Sequence, residues 1–543
     1  MTSNAIESFE QARHVVARAD LRLGGWQRFL PSLPVAMLLM ATIALGCGVA
    51  KGVLWGVPPP VAQDESGYLL NSDTFASGRI TNPTHPMWQH FESMFVIQKP
   101  TYTSKYPPGQ GLFLALGQKV FGDPIVGVWL STALASAAIC WMFWRWLTPA
   151  WAVIGSLMAV AHLVVNYWNF TYWGGSVAAL GGALVFGGLR RFPALRPRDT
   201  FFIALGVAIF SNTRPFEGLV TCIAAALGLT VWMIKDHIQI KPGAALRLLV
   251  PFLAVLALTG LWIGFYNYRT TGSALTFAQG VHSKAYYPVP VLVVQHPAPP
   301  PVFDHDYMRA QYLRDMQEFR KQRSIQGFFE AARTKFVAIW GFYVGISLTI
   351  PLLVLPLLFK NPWTRFALFV CALSLGVMFF ETWLFPHYAA PIAPLLFLVL
   401  TECVAALWAW RWAGLPVGRG LVALVVLFHL ALIGFAIAHR PTYIATRQPW
   451  ALARQQILQR LGHDGHNHLV IVRYAANHTP DAEWVYNKAD LDKANVVWAH
   501  EMSGADEREI LNYYSDRYVW LVEADLKPPR ITPVRVPLAS HVN

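Results

Sequence analysis

PSLPVAMLLMATIALGCGVAKGVLW, residues 31–55, decides the fold class. It is a continuous apolar run, longer than the roughly 20 residues a helix needs to cross the hydrocarbon core of a bilayer. Continuity argues for a helix, because a barrel strand alternates apolar and polar positions. Similar runs follow at 124–147, 150–168, 173–189, 200–213, 216–234, 247–267, 336–359, 364–384, 388–410 and 420–438. The run 200–213 is the shortest of them. The stretch 109–122 is apolar but too short to span with ease; it reads as an interfacial or re-entrant helix, or as part of the next span. Composition agrees: 55% of residues are hydrophobic and 13% charged, about half the charged fraction of a soluble protein. The fold class is a polytopic α-helical membrane protein of about eleven spans.

The five cysteines, Cys47, Cys140, Cys222, Cys371 and Cys403, lie inside apolar runs without metal-site spacing. They read as small buried hydrophobes, not a disulfide framework. The N-terminal segment 1–30 is too charged for a cleavable signal, so the first run is expected to stay as an anchor.

The formal charge is +13. With no nucleic-acid motif beside it, this excess speaks to topology, and nucleic acid is not an expected partner. Arg13, Arg18, Arg22 and Arg28 precede the first run, and Arg145 follows the second. The linkers RRFPALRPRD, KDHIQIKPGAALR, KNPWTR and RWAGLPVGR follow the fourth, sixth, eighth and tenth. All fall on one side when the N-terminus is cytoplasmic. The opposite side then holds loop 56–123, the turn 167–173, the tip 211–217, loop 268–335, the junction 385–388 and the tail after 439. A core of 31–438 is thus expected to carry a soluble extracytoplasmic domain, 440–543, in a bacterial inner membrane. Within that domain 447–461 and 505–514 read as helices, and 469–474, 495–500 and 517–522 as strands. Strand–helix–strand order favours parallel pairing in a small α/β domain. No Gly-rich phosphate loop accompanies it. The proline-rich 288–301 is expected to be extended, and 303–335 helical.

Chemistry concentrates on the outer side. VAQDESGYLLNSDTF, residues 61–75, places Asp64 and Glu65 where the chain leaves the bilayer, followed by Tyr68, Phe75, Gly78 and Arg79. Residues 65–77 read as an amphipathic helix lying in the interface. Lys105 stands before Pro107 and Pro108 at the re-entry; it is either a lysine snorkelling to the headgroups or a cation for a lipid phosphate. Arg214 and Glu217 sit at a tip between two helices, where each charge costs about 2.5–3.5 kcal/mol to insert. They form a mutual pair, or Arg214 binds an anion in a cavity. Glu381 and the dipeptide His387-Tyr388 lie at the outer ends of later runs. HDGHNH, 463–468, is a solvated turn before a strand, with metal binding as the alternative. The sequons at Asn169 and Asn477 read as chance matches. Converging carboxylates and cations suit attack on a phosphate-linked lipid donor. A sugar hydroxyl gains from a carboxylate base, and a departing phosphate needs cations rather than an acid.

The order Asp64-Glu65, Tyr68, Phe75, Gly78 and then Lys105, Pro107-Pro108-Gly109 beside the first span resembles the polytopic C-type glycosyltransferases. The branch it looks most like is the protein O-mannosyltransferase and lipid A aminoarabinose transferase group, with Rgt-like enzymes. The resemblance is best over about 31–235, loose to about 410, and leaves out the tail. It implies a polyprenyl-phosphate-linked sugar as donor and a glycan, lipid or protein acceptor outside the cytoplasm. It makes Asp64 the base, and Glu65 an assistant that orients the acceptor or touches a metal. Lys105, Arg214, His387 and Tyr388 are expected at the donor phosphate, with Tyr68 and Glu217 near the substrate. The family often reads Arg-Tyr where this chain has His387-Tyr388, so Arg214 supplies the permanent charge missing at 387. A divalent metal is the one cofactor the resemblance leaves open. Other readings of the sequence are a lipid-linked substrate transporter or flippase, a non-catalytic scaffold, and a polymerase or ligase of lipid-linked glycans.

Overall fold

The computed structural model describes residues 30–238 and 242–535. The first run is helix α1, Leu33–Trp55, with proline at its start, where the missing amide costs nothing. The first loop then folds as α2 (Gln63–Ala76), a small antiparallel pair β1 (Val96–Ile97) and β2 (Thr103–Ser104), and α3 (Pro108–Phe121). The bundle continues through α4 (Pro124–Trp146), α5 (Pro149–Val165), α6 (Gly175–Leu189), α7 (Pro197–Ser211), α8 (Pro215–Lys235) and α9 (Pro242–Thr271). Prolines begin most of these helices, so the chain re-enters each span with its backbone preset.

Among the described residues six helices are long and apolar enough to cross a membrane. Shorter apolar helices cover Pro149–Val165, Gly175–Leu189 and Pro362–Met378. The apolar side chains of α9, Leu246, Leu253, Leu258 and Leu261 among them, face outward from the protein. Such a surface is stable in lipid and not in water. The chain is an integral membrane protein.

After α10 (Ala278–Ala285) and α11 (Asp306–Gln322) the structure departs from the expected span 336–359. That run is no straight helix. It is α12 (Ile325–Tyr343), a 90° break, α13 (Gly345–Leu352) and the one-turn α14 (Leu355–Leu358). Gly345 takes φ +61 at the break, a conformation glycine adopts without a steric penalty. Pro351 and Pro356 keep the rest from one continuous ladder. The last spans are α15 (Pro362–Met378), a 3-10 turn Pro386–Ile392 leading into α16 (Ala393–Ala409), and α17 (Val417–Arg447). The bundle core packs around the buried Phe143, Trp151, Trp168, Phe186 and Phe397.

The tail is α18 (Pro449–Gly462), β3 (His468–Arg473), β4 (Val496–His500), α19 (Ala505–Tyr513), β5 (Tyr518–Glu523) and β6 (Arg530–Arg535). The sheet order is β4-β3-β5-β6, with β3 parallel to both neighbours and β6 antiparallel to β5. The expected parallel pairing is present; β6, whose Pro533 masks its strand character, adds an edge strand.

Two loop expectations divide. The proline-rich segment is without helix, as expected, and is pinned to the 380–382 turn: the Thr382 amide donates to Val291 at 2.7 Å and the Val293 amide to Phe380 at 2.8 Å. Helix α2, however, does not lie on a lipid interface. Its residues Glu65, Ser66, Gly67, Tyr68, Asn71, Ser72 and Thr74 are all buried. The α3 side holds it through the Ser72 hydroxyl, which donates to Gln118 at 2.8 Å. The tail domain holds it through the Ala489 amide, which donates to Asp73 at 2.7 Å.

Candidate active site

The two adjacent carboxylates at the start of α2 have separate surroundings. Glu65 Oε2 accepts the Val61 amide at 2.7 Å and the Ala62 amide at 3.2 Å, closing the first turn as a cap. Its Oε1 accepts the Tyr172 amide at 2.9 Å, from the turn between α5 and α6. Both oxygens are therefore engaged with backbone, and the side chain is 1% exposed. Burial pushes its carboxyl up to about 7 against the opposing pull of the three amides. Glu65 ties the first loop to the bundle.

Asp64 is half-buried and opens toward cations. The Tyr106 hydroxyl donates to its Oδ1. Burial raises its carboxyl above the ordinary value, and Lys105 and then Arg214 draw it back down. Lys105 follows β2, with its ammonium 3.5 Å from the Phe95 ring centroid and 4.9 Å from that of Tyr106. Burial lowers it to about 8, against the pull of Asp64. At neutral pH the ammonium keeps most of its charge. Asp315 of α11 is also in its field. That carboxylate accepts from the Tyr287 hydroxyl, and from Gln311 at 2.7 Å.

Arg214 caps α8. Its amide donates to Phe210 at 2.8 Å, its Nη1 lies 3.4 Å from Glu217 Oε1, and its guanidinium stands 4.3 Å from the Tyr388 ring centroid. The mutual pair and the inward-facing guanidinium thus coexist. The Lys105 and Arg214 segments are tied by one backbone bond: the Gly109 amide donates to Asn212 at 2.7 Å. A Cβ at Gly109 would sit 2.6 Å from that same oxygen, so only glycine lets the segments approach this closely. Tyr68, one turn beyond Asp64, lies in the fields of Arg214, Asp64 and Glu217, and burial lifts its phenol to about 12.

The fold therefore brings Asp64, Tyr68, Lys105, Arg214, Glu217 and Tyr388 into one cluster, the candidate cleft, while Glu65 points into the backbone. His387 stands beside the cleft in an aromatic box. Its Nδ1 pairs with the Tyr167 hydroxyl at 2.9 Å, and the rings of Trp173 and Phe385 lie 4.7 and 5.8 Å away. Tyr106, Tyr167 and Tyr172 are contributors that composition and spacing did not single out. Tyr106 lies within the quoted Lys105–Gly109 motif, whereas the Tyr172 contribution is a backbone amide, which no side-chain pattern discloses.

The tail domain packs against the segments that carry these residues, with Asp481 in the field of Asp64. Gln63 donates to the Pro480 carbonyl, and Arg314 of α11 grips Asp481 with two bonds of 2.8 and 2.9 Å. Deeper in the seam His90 places Nδ1 3.0 Å from the His500 carbonyl and Nε2 3.1 Å from that of Asp506. His500 Nε2 lies 2.9 Å from the Glu92 carbonyl. The Arg314–Asp481 pair is exposed, 45% and 64%, and such pairs contribute about 0–1 kcal/mol. Arg314→Ala is expected to leave the domain as resistant to limited proteolysis as in the wild type. His90→Ala, which removes the side chain that meets the buried His500 carbonyl across the seam, is expected to speed cleavage between 440 and 535. Equal protection in both variants would show that the seam does not depend on His90.

Among the described residues no three of His, Cys, Asp and Glu converge as a metal set. In the 463–468 segment both His468 nitrogens are engaged, Nε2 with Asp464 at 2.8 Å and Nδ1 with the Trp520 indole at 2.9 Å.

No protein-family model matches the chain, and no curated protein does. Among solved structures the chain is similar to ArnT from Cupriavidus metallidurans in the apo state, with a TM-score of 0.49 and 13% identity, over 89% of this chain and 92% of that one. It is also similar to the archaeal oligosaccharyltransferase AglB from Archaeoglobus fulgidus in complex with an inhibitory peptide and a dolichol-phosphate. There the TM-score is 0.49 and the identity 10%, over 92% of this chain and 70% of that one.

Proposed function

We propose that this protein is a membrane glycosyltransferase that moves a sugar from a polyprenyl-phosphate carrier to an acceptor hydroxyl on the outer face of a bacterial inner membrane. The observation that carries the reading is one half-buried carboxylate, Asp64, in the field of two cations, Lys105 and Arg214, beside membrane-length helices. Asp64 takes the proton of the acceptor hydroxyl as its oxygen bonds to the anomeric carbon. The bond from that carbon to the phosphate oxygen breaks, and the carrier phosphate leaves with the electron pair. Lys105 and Arg214 hold the phosphate as it departs. The reaction is a single displacement with inversion. A retaining route needs a second carboxylate as nucleophile, but Glu65 is engaged with three amides and Glu217 with Arg214. Glycan, lipid and protein remain the acceptor classes, and the tail domain beside the cleft is the wall the acceptor meets.

The 90° break between α12 and α13 favours a second reading, transport, because discontinuous helices build transporter sites. The charges gather at the Asp64 cleft rather than at this break, which supports chemistry there. Purified wild-type protein given polyprenyl-phosphate sugars with labelled sugar is expected to release the free carrier phosphate, with the label passing to acceptor. Saturable donor binding without any release would favour transport instead.

A further inference from the structure

We propose that Tyr106 is a positioning residue for Asp64, and that Gly67 is a glycine so that the Tyr106 ring can reach it. The inference builds on the reading of Asp64 as the base. Tyr106 follows Lys105 directly, and its hydroxyl donates to Asp64 Oδ1. A carboxylate with one oxygen held by a phenol presents the other to an incoming hydroxyl, in one orientation instead of several.

The ring is fixed on several sides. It stacks on Tyr68 with centroids 4.3 Å apart and planes 20° from parallel. Tyr68 lies four residues after Asp64 on the same helix, so base and stacking partner share one face. Phe95 meets the ring edge-on at 6.2 Å. The Tyr106 amide donates to Ser104 Oγ at 3.2 Å, and Pro107 limits the backbone beyond. The last wall is the α2 backbone itself. A Cβ on Gly67 would stand 3.2 Å from Tyr106 Cδ2, 3.1 Å from Ser104 Oγ and 3.3 Å from the Phe95 carbonyl. Those contacts are tighter than ordinary packing, so a methyl group there pushes the ring away from Asp64. Ring, helix face and the missing side chain agree on one purpose, which is to bring the phenol to the carboxylate.

The phenol also has an electrostatic effect. A hydrogen bond donated to the ionised form of a carboxylate favours that form. Burial and the Asp481 carboxylate of the tail domain work against ionisation of Asp64, and Lys105 and Arg214 work for it. Tyr106 adds a neutral donor on the same side, without competing with the cations for the phosphate.

The test is Tyr106→Phe, which keeps the stack on Tyr68 and removes only the donor. Two quantities are read. The first is the Asp64 carboxylate titration by infrared spectroscopy, assigned by difference against Asp64→Asn; it needs no turnover. Its midpoint is expected to rise by about one pH unit in Tyr106→Phe, and by less in Gly67→Ala. The second is turnover of polyprenyl-phosphate sugars: kcat falls about tenfold or more at neutral pH and its acid limb moves up with the midpoint, while affinity for undecaprenyl phosphate is unchanged. An unmoved midpoint in Tyr106→Phe overturns the proposal, and so does an activity loss equal at every pH, which is the mark of a merely structural tyrosine. Absence of turnover in the wild type would instead defeat the reading of the reaction, while the titration still decides whether Tyr106 governs Asp64.

Discussion

Asp64→Asn should lower sugar release from polyprenyl-phosphate donors by about 10²–10⁴-fold, the usual contribution of a positioned general base, while leaving the affinity for undecaprenyl phosphate in place. Asparagine keeps the shape and still accepts the Tyr106 hydroxyl. What it loses is the capacity to take a proton. The wild-type pH profile follows from the same geometry. Asp64 acts only when ionised, and burial holds its carboxyl above the ordinary value. The acid limb of kcat/KM is therefore expected above the usual carboxylate range. Lys105, lowered by burial to about 8, loses its charge as pH rises through that value. Its hold on the donor phosphate weakens there, so an alkaline limb near 8 completes a bell. Lys105→Arg, whose cation does not titrate below pH 12, is expected to remove that alkaline limb. Equal release by wild type and Asp64→Asn would take Asp64 out of the centre of the reaction.

Much of the fold was legible because membrane helices announce themselves by length and apolarity, independently of their partners. Helices begin within a few residues of most of the apolar runs, and β3, β4 and β5 lie within a residue of their expected positions. The misses have two causes, local backbone geometry and partners distant in sequence. Hydropathy cannot register the positive φ of Gly345, so 336–359 reads as one span although it turns through 90°. The small polar residues of α2, Ser66, Asn71, Ser72 and Thr74, suggest a solvated face, but α3 and the tail domain cover them. At the site, Asp64, Lys105 and Arg214 were nameable because buried charge near a membrane is costly enough to need a reason. The aromatic box around His387 draws on Tyr167, Trp173 and Phe385 from separate turns, which no local pattern joins. The expected basic N-terminal residues Arg13, Arg18, Arg22 and Arg28 lie outside the described residues.

Glu65, next to the proposed base, should show the opposite phenotype. Glu65→Ala leaves the amides of Val61, Ala62 and Tyr172 without their acceptor in a site that is 1% exposed. The buried Tyr172 amide left unpaired costs about 1–3 kcal/mol, and loss of the half-buried cap at Val61 and Ala62 costs about 0.5–2 kcal/mol more, so the variant is expected to lose stability by about that sum or fail to accumulate. Glu65→Gln separates cap from charge. Its carbonyl can serve the Val61 and Ala62 amides, but its NH₂ then faces the Tyr172 amide, donor against donor. A loss of about 1–3 kcal/mol is expected, with the first turn of α2 intact and the link to the Tyr172 turn broken. The pH dependence has a definite sign. The folded-state value of about 7 lies above the ordinary glutamate value of 4.5, so the folded protein binds the extra proton between them. Stability therefore falls as pH rises from about 4.5 to about 7 and is level above that, as far as this group decides it. Glu65→Gln removes that slope. Thermal unfolding in detergent from pH 4.5 to 8, wild type against Glu65→Gln, measures it directly. Parallel curves would mean that Glu65 keeps its proton count on unfolding, and that the three amides balance burial. A variant that unfolds normally yet cannot transfer sugar would give Glu65 a part in the chemistry that its present bonds do not.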